Sequence, residues 1–267
     1  MHKTILITGS TDGIGLATAK ALLNLGHRVL IHGRNQTKLE TLQAQLADQF
    51  GQDQVQAWAA DLSQLDEVRR LAQRMAASGV RIDVLINNAG VFKVQPTQTE
   101  SGMDVRFVVN TIAPWLLTRL LLPALAADAR VINLSSAAQA PVNLAALRGD
   151  VPVSDDFSAY AQSKLALTMW SMEPARLGLT GEQSMVAVNP GSLLGSKMVR
   201  EGFGTQGHDI GIGVRILSRL ALEPDAVQSG GYFDNDAGHY ADPHSEALDA
   251  VNRQAVYEVI SSLAHVS

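Results

Sequence analysis

The sequence predicts an α/β fold, an open doubly wound sheet of parallel strands with helices on both faces, and three observations carry that reading. A short apolar strand, Lys3 to Thr8, runs directly into a glycine-rich turn and a helix. Further apolar runs of strand length each end in small or polar residues, as expected where the carboxyl ends of strands face a ligand crevice. The 267 residues contain no linker-like tract, repeat or low-complexity segment, so residues 1–267 read as a single domain with a core over 3–235 and an extension over 236–267.

The first strand leads into Thr8-Gly9-Ser10-Thr11-Asp12-Gly13-Ile14-Gly15. Apolar and small residues then recur from Leu16 to Leu23 with helical spacing, and Gly26 ends the pattern. Gly9 permits the tight turn, Gly13 lets the backbone approach a ligand, and Gly15 allows the helix to pack closely on the strand. Backbone N–H groups without helical partners then face a pyrophosphate. The spacing G-x-x-x-G-x-G differs from G-x-G-x-x-G but supplies the same parts in the same strand-to-helix context.

The second strand, Arg28 to His32, closes with Gly33-Arg34-Asn35. About 20 residues beyond the glycine turn an NAD site places an acid for the ribose hydroxyl. This chain has Arg34 there, a planar fork suited to a 2'-phosphate, which predicts NADP(H) over NAD(H) with Lys38 as a helper. The alternative is a solvated arginine at a strand end.

Later elements follow the same plan. The strand Gln54 to Ala59 leads to Asp61-Leu62, and Ile82 to Ile86 leads to Asn87-Asn88-Ala89-Gly90. An apolar helix over Asn110 to Ala127 is interrupted by Arg119 and Pro123, so it reads as a core or interface helix and not a membrane span. Ala129 to Leu134 ends in Ser135-Ser136, and Ser184 to Val188 ends in Asn189-Pro190-Gly191. The glycine-rich stretch Leu193 to Asp209 reads either as a movable lid or as a surface loop before a helix over His208 to Leu222. Ala241-Asp242-Pro243 stops the last strand region, and Ser245 is positioned to cap a closing helix through Leu263.

Tyr160-Ala161-Gln162-Ser163-Lys164 sets a phenol and an ammonium on one helix face, a turn apart. A cation about 4 to 6 Å from a phenol favours phenolate and brings its proton closer to neutral pH. Alone, in a chain with four tyrosines, such a pair could equally decorate a solvated helix.

Taken in order, Thr8-Gly9, Gly13-Ile14-Gly15, Asn87-Asn88-Ala89-Gly90, Asn110, Ser136, Tyr160, Lys164 and Asn189-Pro190-Gly191 resemble the short-chain dehydrogenase/reductase family, over residues 3 to about 235. The resemblance implies a single Rossmann-like domain with a seven-stranded parallel sheet, and reduction of carbonyls or oxidation of alcohols with a nicotinamide dinucleotide. It implies that Ser136 polarises the substrate carbonyl, Tyr160 is the general acid or base, Lys164 anchors the ribose and tunes Tyr160, and Asn110 holds a water in the proton relay. Hydride delivery builds negative charge on oxygen, which calls for a proton donor and a preorganised second hydrogen bond. Ser135 is the competing serine; Ser136 is favoured because the family uses the second of such a pair. The alternative for Asn110 is a helix asparagine bonded to backbone.

The implied dinucleotide contacts are Gly9, Ser10, Thr11, Gly13, Ile14, Gly15, Arg34, Asp61, Leu62, Asn88, Ala89, Gly90, Tyr160, Lys164, Pro190, Gly191, Leu193 and Ser196. Two departures stand out. The interval between Ser136 and Tyr160 is longer than the simplest family pattern, with an inserted loop over Ala140 to Phe157. That loop, and the strand Ser229 to Phe233, resemble the retinol-dehydrogenase-like branch. Where the family often carries a nicotinamide-contacting threonine this chain has Gly195, with Ser196 one residue late. The segments expected to line a mostly apolar substrate pocket are Val91 to Gln95, Gln139 to Leu144 and Leu193 to Asp209. Two rivals are a dinucleotide-sensing regulatory or scaffold protein, which would be expected to lose Ser136, Tyr160 or Lys164, and a sugar-nucleotide epimerase, which usually has a longer carboxyl-terminal region.

Composition bounds the partners. A net charge of -5 with no basic stripe argues against nucleic acid. Absence of cysteine excludes disulfides and cysteine-based metal sites. The seven histidines lack metal-binding spacing and read as scattered surface or loop residues, and Asp234-Asn235-Asp236-Ala237-Gly238 lacks the twelfth-position acid of a calcium loop, so no metal is expected. The amino terminus has no cleavable apolar segment, and the expected compartment is the cytoplasm. The resemblance implies a homodimer or homotetramer through the helices Asn110 to Ala127 and Phe157 to Leu177.

Overall fold

Leu6 and its neighbours Ile5 and Ile7 point to opposite sides of one sheet, and the two hydrophobic cores of the protein form on those two sides. The structure, a computed structural model, describes residues 2–153 and 155–264. Its strands are β1 (Thr4–Ile7), β2 (Arg28–Gly33), β3 (Val55–Ala59), β4 (Ile82–Asn87), β5 (Leu125–Leu134), β6 (Ser184–Asn189), β7 (Gly231–Asp234) and β8 (His239–Tyr240). They form an eight-stranded sheet in the order β3-β2-β1-β4-β5-β6-β7-β8. Neighbours from β3 to β7 pair in parallel, and β8 adds an antiparallel edge. Strands such as Thr4–Ile7 and Ile82–Asn87 are apolar on both faces because helices cover both faces.

The helices are α1 (Gly13–Asn24), α2 (Gln36–Phe50), α3 (Leu65–Ala77), α4 (Val105–Phe107), α5 (Ala113–Leu121), α6 (Leu144–Arg148), α7 (Asp156–Ser171), α8 (Pro174–Leu177), α9 (Lys197–Phe203), α10 (Gly211–Leu222) and α11 (Ala250–Leu263). Helices α1, α2 and α10 bury Leu22, Leu39 and Leu217 against Ile5, Val29 and Ile132 on one face. On the other, α3, α5, α7 and α11 bury Leu71, Trp115, Trp170 and Ile260 against Leu6, Leu85 and Val131. Each such side chain contributes about 1.5–3 kcal/mol on leaving water.

The apolar helix is displaced from its expected bounds. Its helical run covers Val105–Ala124 and includes a π turn over Val108–Ile112, while Leu125 already belongs to β5, paired with Ile82. Pro123 cannot extend a helix, so the chain is released for strand pairing. By length and apolarity this run could cross a membrane, yet 78% of its apolar window is buried inside the fold.

Two loops and one helix cap differ from expectation. The inserted segment carries α6, capped by Asn143 and ended by Gly149 in the left-handed region at φ 85°. The stretch 193–209 contains α9, capped by Ser196, and folds back through a bridge between Leu194 and His208. The cap of α11 is Asp249, whose carboxylate accepts from Val251 N at 2.7 Å; Ser245 instead opens a short 3-10 turn. Helix α11 also lies across the helices expected to join copies of the chain: Tyr257 meets Trp115 edge to face at 5.6 Å and donates to the carbonyl of Arg176.

Candidate active site

The strand order places β1 beside both β2 and β4, so the crevice opens between the carboxyl ends of β1 and β4. Gly9 and Gly13 adopt φ 63° and 55°, which glycine alone reaches without strain. A Cβ on Gly9 would lie 2.8 Å from the backbone of Ala89, and one on Gly15 would lie 2.6 Å from the carbonyl of Gly9. Gly13 is less crowded: a Cβ there would make only ordinary contact with Ser196 Cβ, at 3.6 Å. That cradle at the start of α1 suits a diphosphate. Asp12 caps the helix by accepting from Gly13 N at 2.7 Å.

Polar pairs lock the turn to its neighbours. Thr8 Oγ1 accepts from Asn88 N and Ala89 N, both at 3.0 Å, and Asn88 Nδ2 donates to the carbonyls of Thr8 and Gly9. Ser10 Oγ accepts from His32 N at 2.9 Å, and Ser10 N donates to His32 O. His32 Nδ1 accepts from Gly9 N at 3.1 Å. This histidine is 2% exposed and burial lowers its pKa to about 4, so it is neutral with its proton on Nε2. The reading of the histidines as surface or loop residues is therefore corrected at His32; its place inside the apolar run Arg28–His32 was the available signal.

Arg34 and Lys38 stand exposed beyond β2. The end of β2 itself lies against the glycine turn, since a Cβ on Gly33 would lie 2.5 Å from Thr11 Cγ2. Asp61 accepts from Ser63 N at 2.9 Å, and Leu62 is buried.

Helix α7 carries Tyr160 and Lys164 into the crevice. Its start is fixed by Asp155, which accepts from Ser158 N, and by Asp156, paired with the buried Arg106. Arg106 also binds Asp104, at 2.6 Å. Nothing local in the sequence marks this ion cluster, since arginine is ordinarily solvated.

Tyr160 is half-buried, with Ser136 near enough to act on its pKa. Lys164 Nζ lies 5.6 Å from the centre of the Tyr160 ring but donates to the carbonyl of Leu134 at 2.7 Å. The expected acidification of the phenol does not appear: burial raises the Tyr160 pKa, and the nearby Ser136 side chain offsets only part of the rise. Burial also brings Lys164 down to about 8. Low polarity around the pair outweighs the ammonium's influence.

The two serines separate cleanly. Ser135 is buried, its Oγ 2.6 Å from Thr168 Oγ1, whereas Ser136 lies next to Tyr160 at the crevice. Asn110 sits within the π turn; its side chain donates to Val91 O and Ser163 Oγ and accepts from Val91 N. Its amide is thus tied to backbone and Ser163, close to Gly90, whose Cβ would come 3.4 Å from Asn110 Oδ1 and 3.5 Å from Lys164 Nζ.

Beyond β6, Asn189 donates to Asp234 and Asp236 at 2.8 and 2.9 Å, and Ser192 N donates to Asp236 at 2.9 Å. The acids that hint at a calcium loop thereby brace the Pro190-Gly191 turn. Leu193 follows with φ 51° and is 40% exposed. Among the described residues no cluster of metal-ligating side chains occurs. Over Tyr160, Phe92 packs at 5.2 Å between ring centres, Phe157 lies 6.5 Å from Phe92, and Gly202 of α9 sits so close that a Cβ would reach 2.5 Å from Phe92 Cδ1.

A family model described as short chain dehydrogenase matches residues 3–206. The chain is 36% identical over 195 residues to polyprenol dehydrogenase of Homo sapiens, covering 70% of this chain and 58% of that one. It is 37% identical over 206 residues to retinol dehydrogenase 12 of Bos taurus, covering 75% and 64%. The match therefore spans less than two thirds of these relatives' own length. Among solved structures, an uncharacterized protein from Mycobacterium paratuberculosis aligns with a TM-score of 0.79 at 27% identity, covering 99% of this chain and 94% of that one. A short chain dehydrogenase from Escherichia coli CFT073 complexed with NADPH aligns with a TM-score of 0.69 at 25% identity, covering 87% and 96%.

Proposed function

The chain belongs to the short-chain dehydrogenase/reductase family, with relatives named as retinol dehydrogenases, and on that premise we propose that it interconverts a carbonyl and an alcohol using NADP(H). The observation that carries this reading is the meeting of Tyr160, Ser136 and Lys164, with Ser136 beside the phenol and Lys164 Nζ 5.6 Å from its ring centre.

The residues present fit the cofactor. The glycine turn around Gly13 and the N–H groups at the start of α1 would hold the diphosphate, with Ser10, Thr11 and Ile14 around it. Arg34, with Lys38, would take the 2'-phosphate, and Asp61 and Leu62 would flank the base. Asn88, Ala89, Gly90 and Lys164 would line the ribose, and Pro190, Gly191, Leu193 and Ser196 the nicotinamide end. The bound cofactor supplies a hydride to the substrate carbon.

The chain's own residues manage the oxygen. Ser136 donates a hydrogen bond to the carbonyl, and Tyr160 delivers its proton as negative charge grows there. Burial raises the Tyr160 pKa, so the phenol holds its proton at neutral pH and can donate it when a carbonyl is reduced. Lys164, held by Leu134, places positive charge beneath the phenol. Asn110 fixes Val91 and Ser163 beside the site, where it would also hold a water of the proton relay. Phe92, Phe157 and Leu193 favour a small-to-medium, largely apolar aldehyde or ketone. We read residues 1–267 as one domain, and a homodimer or homotetramer as its assembly, through surfaces that α11 leaves uncovered.

The test is NADPH consumption over a panel of apolar aldehydes and ketones, with Tyr160→Phe as the comparison. Loss of an oxyanion-type hydroxyl should lower turnover by about 10² to 10³ while NADPH still binds. Full activity in the variant removes Tyr160 from the chemistry, and absence of dinucleotide binding by the wild type removes the proposal.

A further inference from the structure

Ser136 is the second residue past the end of β5. The last bond from this stretch to the neighbouring strand is Ser135 N to Val188 O at 2.8 Å, so sheet pairing does not hold Ser136. Its carbonyl is nevertheless fully engaged. Tyr232 of β7, two strands away, donates its hydroxyl to Ser136 O at 3.1 Å, and Gln139 donates its amide to the same oxygen at 3.0 Å. The two donors therefore converge on one oxygen. The side-chain carbonyl of Gln139 accepts from His244 N at 2.9 Å, in the segment after β8.

Two donors on one carbonyl fix the plane of the peptide after Ser136, and with it the direction of the side chain that meets Tyr160. We propose that Tyr232 and Gln139 are positioning residues for Ser136, with the backbone at His244 holding Gln139 in place. The inference rests on the roles given to Ser136 and Tyr160 above. It extends the catalytic apparatus beyond residue 206, where the family model ends, because β7 and the segment through His244 supply the brace. The ring of Tyr232 is buried, so Tyr232→Phe deletes the hydroxyl alone and keeps the packing.

The experiment is a double-mutant cycle on kcat with NADPH and the best substrate of the panel, measured in single turnover at high enzyme concentration. Tyr232→Phe and Gln139→Leu should each lower kcat about tenfold, the effect of one positioning hydrogen bond. NADPH affinity, read by fluorescence titration, should not change. In a Ser136→Ala background, Tyr232→Phe should cost less than about twofold, because its effect passes through the deleted hydroxyl. A general structural defect would instead lower kcat equally in both backgrounds, and that result overturns the proposal, as does full kcat in both single variants or weakened NADPH binding. If Ser136→Ala and Tyr160→Phe themselves keep full activity, the underlying oxidoreductase mechanism fails instead, a distinguishable result.

Discussion

Lys164 donates its ammonium to the carbonyl of Leu134 at 2.7 Å, joining α7 to the end of β5 just before the paired serines. The bond lies in a buried site, with Lys164 4% exposed. Lys164→Met should therefore leave a buried acceptor unpaired and lower stability by about 1–3 kcal/mol, measured by urea denaturation. The same variant should weaken NADPH binding, since Lys164 Nζ lies beside Gly90 in the crevice. Unchanged stability and affinity together would remove the link.

The separation of Ser135 from Ser136 predicts opposite phenotypes. Ser136→Ala should reduce kcat by about 10² to 10³ with little change in melting temperature. Ser135→Ala, which strips Thr168 of its hydroxyl partner, should cost about 1 kcal/mol of stability and leave kcat near wild type. Steady-state kinetics and thermal melts on both variants decide it; a catalytic loss in Ser135→Ala would reverse the assignment.

Arg34 is exposed beyond β2 and available to a 2'-phosphate. Arg34→Ala should raise the KM for NADPH by about 10- to 100-fold, the worth of a charge-assisted hydrogen bond, and change that for NADH little. Equal effects on both cofactors would refute a phosphate-reading role.

His32 sets a pH dependence. Its pKa falls from 6.5 to about 4 on folding, so between these values the unfolded chain binds more protons than the folded one. Stability from this group is complete above pH 6.5 and is lost as the pH falls toward 4. Melting temperature followed over that window should decline less steeply in His32→Asn than in wild type, and parallel curves would dismiss the histidine as the cause.

Arg106 is 3% exposed and is shared by Asp104 and Asp156. Arg106→Met leaves Asp104 buried without its cation and should cost about 3–5 kcal/mol, seen as a lower urea midpoint with unchanged slope. A shift under 1 kcal/mol would show that the cluster contributes little to the fold.

The alternating cores, the glycine turn and the shared helix face of Tyr160 and Lys164 were determined by the sequence itself. Each is a local matter: pleat, turn and helix periods act over a few residues, so Gly9, Gly13 and a four-residue interval carry their meaning without the rest of the chain. Boundaries were less legible where elements compete. Pro123 and the pairing of Leu125 with Ile82 ended the apolar helix early, and Asp249 rather than Ser245 capped α11. Only the tertiary structure decided that His32 braces Gly9, that burial raises rather than lowers the Tyr160 pKa, and that Tyr232 reaches the carbonyl of Ser136 from 96 residues away. Those outcomes depend on strand order and on which groups lose water together, and both arise only when distant segments meet.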